Sequence, residues 1–201
     1  MNKRRFVKEI LQLLPTFAAT RDGTYFYELP FEHVLAGFAW EVPRGYLYIW
    51  KYGFPLFEEF EGMHFGYGDR LPRPAGMISL AETRESEVAS EFVQRIAPYR
   101  KAISKLRDLN NFLSYLESEP NRLENPVLRR GYALTFIMVG KDDEAVEQLK
   151  FYIRTEDRPE FRQSAQGWID SIREGSARAR LLSREEQFKD RFGIHGRPHS
   201  G

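Results

Sequence analysis

Cysteine is absent from the 201 residues, which excludes disulfides, thiol catalysis and thiolate metal sites. An excess of either charge is absent as well. Lys and Arg number 30 and Asp and Glu 29, for a formal net charge of +1. A dedicated nucleic-acid binder carries a clear basic surplus, so nucleic acid is not an expected partner. Histidine is scarce at four, and only His195 and His199 stand within four positions of each other. No apolar run approaches the roughly 18 residues of a membrane span. The basic start through Lys8 is interrupted by Glu9 and Gln12 and lacks a small-residue cleavage site, so no signal peptide is expected. A soluble, cytoplasmic protein that does not enter membranes is the expectation. No Gly-x4-Gly-Lys-Ser/Thr loop, Gly-x-Ser-x-Gly elbow or paired His–Glu metalloprotease spacing occurs, so no cofactor is expected. Gly62-x3-Gly66-x-Gly68 opens no helix, and a phosphate cradle needs a helix N-terminus; it reads as a turn or bulge.

Aromatic residues are present in quantity and unevenly spread. Of the 29 Phe, Tyr and Trp, 17 fall in residues 1–80 and 15 of those between Tyr25 and Tyr67. With its β-branched residues, glycines and prolines, that stretch has strand chemistry. A short helix carrying Phe6, Ile10, Leu11, Leu13 and Leu14 precedes it and stops at Pro15. Strands are expected over Thr24–Glu28, His33–Val42, Gly45–Tyr52 and Met63–Tyr67, with Pro43-Arg44-Gly45 as a hairpin turn. Alternation in the third strand places Tyr46, Tyr48, Trp50 and Tyr52 on one face. Short connections suit an antiparallel sheet.

After the Pro- and Gly-rich segment Leu71–Gly76 the period changes to that of helices. Ser79-Leu-Ala-Glu82 has capping-box spacing. An apolar stripe from Val88 through Leu116 keeps its phase across Pro98 and reads as one kinked helix. Further helices are expected from Asn125-Pro126 to about Val139, from Asp142, from Asp157-Arg-Pro-Glu160 to near Gly175, and after the capping-box spacing Ser183-Arg-Glu-Glu186. The fold class is α+β: a small antiparallel sheet with an N-terminal helix, followed by an all-helical region containing a helical hairpin. Residues 1–76 form the aromatic-rich module, 77–192 the helical region packed on it, and 193–201 a loose tail.

Two resemblances follow from particular residues. Ala133, Gly140, Asp143-Glu-Ala145 and Leu149 make residues 126–154 resemble a single degenerate tetratricopeptide-type helical hairpin. Arg129, Tyr152 and Asp157 depart from that pattern. The resemblance implies two closely packed antiparallel helices that rest on neighbours, because one hairpin cannot bury its own face. Trp50-x4-Pro55-Leu-Phe57, followed by Phe65-Gly-x-Gly-Asp-Arg-Leu71, is similar to small uncharacterised bacterial proteins, some of them suspected immunity or accessory proteins in toxin or defence loci. That similarity implies a partner protein.

The candidate chemistry lies among polar residues of the aromatic sheet: Glu41, Arg44, His64, Asp69 and Arg70. His64 held by Asp69 has the makings of a general base; a half-buried strand histidine beside an Asp–Arg turn pair is the structural alternative. Glu58, Glu59 and Glu61 with His64 offer three oxygens and an imidazole to a divalent ion. They do not share a strand face, however, and a solvated acidic loop with no metal is expected. The row Tyr46, Tyr48, Trp50, Tyr52 is core if covered by Phe6, Leu13 or the kinked helix, and a partner site if open. Arg44, Tyr48, Trp50 and Arg70 are the candidate partner- or ligand-binding residues. The functional expectation is a non-enzymatic protein-interaction module, an immunity or accessory protein. The alternative is a small enzyme or ligand-binding protein with a pocket around His64 between sheet and helices.

Overall fold

One long hairpin, apolar on both faces, organises the chain. The computed structural model describes residues 2–58, 62–81, 84–118 and 122–194. In order these form α1 (Lys3–Leu13), β1 (Phe17–Ala19), β2 (Tyr25–Glu28), β3 (Val34–Glu41), β4 (Tyr46–Pro55), β5 (Gly68–Arg70), β6 (Met77–Ser79), α2 (Glu85–Ile96), α3 (Arg100–Ser104), α4 (Leu109–Glu117), α5 (Pro126–Met138), α6 (Asp142–Thr155), α7 (Pro159–Arg173) and α8 (Ala177–Phe192). The fold is α+β: an antiparallel sheet followed by helices.

β3 and β4 pair from Val34↔Pro55 to Glu41↔Tyr48. Their tip turns through Arg44 (φ 53) and Gly45 (φ 81), both left-handed, as tight hairpins require. The strand order is β1-β2-β3-β4-β5, with β6 also on β4. β5 pairs Trp50–Tyr52 and β6 pairs Tyr46–Tyr48, so the outer edge of β4 is shared between two short strands. Ile49, between them, donates its N–H to the Gly76 carbonyl and accepts from the Leu71 N–H, both at 2.9 Å. The longest strand is thereby denied an open edge.

Helices cover both faces. Phe26, Ala36, Phe38, Trp40, Leu47 and Ile49 pack with Phe6 and Ile10 of α1, with Val88, Phe92 and Ile96 of α2, and with Ile103 and Leu106. Phe6 meets Trp40 edge-on at 5.0 Å between ring centroids. On the opposite face Tyr25, Tyr27, Tyr52 and Phe54 pack with Phe112, Leu113 and Leu116 of α4 and with residues of α5 and α8. Phe54 stacks on Phe188 of α8 at 5.3 Å. α5 is central to the helical half, buried at every position from Arg130 to Met138. It turns at Gly140 (φ 77) into α6. α8 is tied to the β2–β3 connection by Glu185, 1% exposed, which pairs with His33 at 2.8 Å and Lys189 at 2.5 Å. Burial alone would raise the Glu185 pKa; the hydrogen bonds and charges of His33 and Lys189 outweigh it and hold the carboxyl below its ordinary range.

Several expected boundaries move. The stripe 88–116 is neither one helix nor one face: Val88 to Leu106 pack on one side of the sheet and Phe112 to Leu116 on the other. Pro98 sits in a 3-10 turn between α2 and α3. Asp108 (ψ 131) leaves helical geometry and caps α4, accepting from the Asn111 N–H at 2.9 Å. Ser79 ends β6, and α2 starts only at Glu85. Ser183 lies inside a continuous α8. Phe65–Tyr67 is a 3-10 turn rather than strand, and pairing resumes at Gly68. His195 and His199 lie outside the described residues.

Candidate functional site

The side chains that alternation puts on one face of β4 meet different fates along the strand. Tyr52 and Phe54 are 1% and 0% exposed beneath the helices. Trp50 and Tyr48 are half-buried, and Tyr46 is 40% exposed. α1, with Phe6, packs on the opposite face, and Leu13 is 48% exposed, so neither covers this row. The helical cover ends at Trp50. Phe65, in the 3-10 turn, stacks on the Trp50 ring at 4.5 Å and 18° and closes that border.

Beyond it lies a ledge of alternating cations and rings. Cross-strand register puts Arg70 of β5 opposite Trp50 and Glu41 of β3 opposite Tyr48. The Arg70 guanidinium lies 4.2 Å from the Tyr48 ring centroid and 5.0 Å from that of Trp50. It donates to Glu41 Oε1 at 2.6 Å, and Trp50 Nε1 donates to the same oxygen at 3.1 Å. Arg73 sits 6.0 Å from the Tyr48 centroid and donates to the Tyr48 hydroxyl at 3.3 Å. Arg44, on the hairpin tip, is exposed and makes no ion pair among the described residues. Val42, beside it in sequence, is 42% exposed. Tyr25, next to Phe65 at 5.6 Å, has its hydroxyl pKa pushed up to about 12, by burial first and then by Asp22 and Glu41. It remains a neutral phenol across the physiological range.

Of the expected site residues, Tyr48, Trp50 and Arg70 come together, while His64 and Asp69 engage different partners. His64 caps the 3-10 turn: its Nδ1 accepts from the Gly66 N–H at 3.0 Å, and its ring packs on Phe54 and Tyr67. Burial lowers its pKa below the ordinary value; nearby Glu58 acts against that shift and Arg130 with it. Asp69 lies opposite Lys51, 3.6 Å from its Nζ, and accepts from the Tyr115 hydroxyl at 3.1 Å. Glu59 and Glu61 lie outside the described residues. Among the described residues no group of three His, Asp or Glu is placed to hold a metal ion.

Glu58 is committed elsewhere. It is buried with Arg130 of α5, their side chains 0% and 2% exposed, and Arg130 donates to its Oε1 through Nη2 at 2.8 Å and Nε at 3.2 Å. The Tyr67 hydroxyl donates to Glu58 Oε2. Burial, reinforced by the Glu58 charge and hydrogen bond, drives the Tyr67 pKa well above its usual value. Gly131 makes room for this group: a Cβ there would stand 1.8 Å from the Tyr67 hydroxyl. Sequence reasoning missed Arg130, Arg73 and Phe65. The available signals were a charged residue opening the apolar run 131–139, and an aromatic and an arginine flanking a short strand.

Among the described residues no helix is long and apolar enough to cross a membrane. Comparison with protein-family models, with curated proteins and with solved structures finds no match.

Proposed function

We propose that this chain is a protein-binding module, an immunity or accessory protein, whose partner seats an acidic surface on the ledge at the open end of the sheet. The observation that carries the reading is the Arg70 guanidinium held over Tyr48 and Trp50. Tyr, Trp and Arg are the side chains that concentrate binding energy at interfaces, and here they are fixed before a partner arrives. Glu41 matches Arg70 in charge, which leaves Arg44 and Arg73 as surplus positive charge around apolar Val42, Tyr46 and Tyr48. That balance selects a partner with carboxylates around an apolar centre. His64 serves as a turn cap and Asp69 as a strand-pair anion, so neither is needed for the reading.

The test is capture from the native host with wild type, with Arg70→Glu/Arg73→Glu, with Trp50→Ala, and with a Lys8→Glu control. The expected result is one protein retained by wild type and by the control, released as salt rises, and lost by both ledge variants. The loss corresponds to about 2 kcal/mol or more per hot-spot residue. Equal retention by the ledge variants, folded by circular dichroism, overturns the reading.

A further inference from the structure

The outer groove between α5 and α6 carries more positive than negative charge. Arg129 of α5 and Glu147, Gln148, Lys150, Phe151 and Arg154 of α6 line a recess of about 400 Å³. Phe151 is 38% exposed, unusual for a phenylalanine of this protein. The Arg129 guanidinium lies 3.9 Å from its ring centroid and that of Arg154 5.8 Å. Arg129 Nη1 donates to Gln148 Oε1 at 3.2 Å, which fixes the guanidinium at the groove wall. Among the described residues Arg129, Lys150 and Arg154 form no ion pair. Glu147 is the one acid of the lining and Glu124 acts on Arg129 from beside it, so three cations stand against two anions.

We infer that this groove binds a small phosphate monoester, with its phosphate among Arg129, Lys150 and Arg154 and its carbon portion against Phe151. A monocarboxylate would satisfy one cation and leave the rest unmatched. A phosphate dianion presents three acceptor oxygens, and the planar guanidinium fork matches them two at a time. The exposed ring beside the cations accounts for an apolar portion that inorganic phosphate lacks. Nucleic acid is a poor fit, since a long polyanion needs many cationic contacts and this groove holds three. The site is independent of the ledge on the sheet.

The inference is tested by NMR titration of the isotope-labelled full chain with phenyl phosphate, inorganic phosphate and benzoate at constant ionic strength. The expected result is saturable shifts at Arg129 and along residues 147–154, with phenyl phosphate binding most tightly. Lys150→Ala/Arg154→Ala, at exposed positions, should weaken it about ten-fold or more. Phe151→Ala should reduce phenyl phosphate to the level of inorganic phosphate, and Arg70→Glu/Arg73→Glu should leave it unchanged. No saturable shift up to about 20 mM overturns the inference. So does benzoate binding as tightly as phenyl phosphate, undiminished binding by the Lys150/Arg154 variant, or equal loss in the ledge variant.

Discussion

Arg130→Met separates the charge of the buried pair from its packing. Methionine keeps an apolar stem in place of the Arg130 side chain but not the guanidinium, whose carbon lies 5.6 Å from the Phe161 ring centroid. What is lost is the guanidinium and both hydrogen bonds to Glu58, a side chain that no solvent reaches. A buried carboxylate that loses its guanidinium and keeps only weaker partners such as the Tyr67 hydroxyl costs about 3–5 kcal/mol. In a chain of 201 residues, with about 2–4 °C for each kcal/mol, the melting temperature should fall by about 6–20 °C. The double variant Glu58→Gln/Arg130→Met removes the buried charge and keeps an acceptor for the Tyr67 hydroxyl, so it should be more stable than Arg130→Met alone. Thermal and urea unfolding followed by circular dichroism reads all four proteins of the cycle. The reasoning is refuted if Arg130→Met melts within about 2 °C of wild type, or if the double variant loses the sum of the two single losses.

Two further outcomes follow from local geometry. Gly131→Ala places a methyl group 1.8 Å from the Tyr67 hydroxyl and should destabilise the fold by about 1–3 kcal/mol; an unchanged melting temperature would show that α5 does not approach Tyr67 so closely. Glu156, 5% exposed, accepts from the Arg158 side chain at 2.7 and 2.9 Å, from the Arg158 N–H at 3.1 Å and from the Tyr152 hydroxyl at 3.2 Å. The Arg158 hydrogen bonds lead in lowering its pKa to about 2, from an ordinary 4.5. A carboxyl with a depressed folded pKa stabilises fully above the ordinary value and loses that contribution as pH falls toward about 2. The stability gap between wild type and Glu156→Gln should therefore be present at neutral pH and close across that acid window; a gap of constant size would contradict the assigned partners.

Local chemistry made the elements legible, and tertiary contacts set their limits. The Arg44-Gly45 tip, the Asn125 cap with Pro126 behind it, and the stop at Gly140 each follow from the conformation those residues favour. The stripe from Val88 to Leu116 misled because hydrophobic phase reports only that a side chain faces a core: Val88 to Leu106 pack on one side of the sheet, and after the 3-10 turn and the fresh cap at Asp108, Phe112 to Leu116 pack on the other. β3 shows little alternation for a related reason: with helices on both faces, every residue from Val34 to Trp40 is buried.

The ledge shows where such reading stops. Alternation makes Tyr48, Trp50, Tyr52 and Phe54 equivalent, since all four are large aromatics two residues apart. Whether one is core or surface depends on how far α4, α5 and α8 reach along β4, and that reach is set by helices more than fifty positions later in the chain. The placement of Arg70 is equally nonlocal. It stacks on Tyr48 and Trp50 because β5 pairs with β4 in the register Trp50↔Arg70. A slip of one residue would put Asp69 opposite Trp50 and turn Arg70 to the other face, and the surplus positive charge of the ledge would vanish. Within this register Gly68 pairs with Tyr52, and no larger residue replaces it without strain: its Cβ would stand 2.7 Å from the Lys51 carbonyl oxygen. The arrangement of side chains on this face therefore depends on a glycine outside it, together with the helical cover that ends at Trp50.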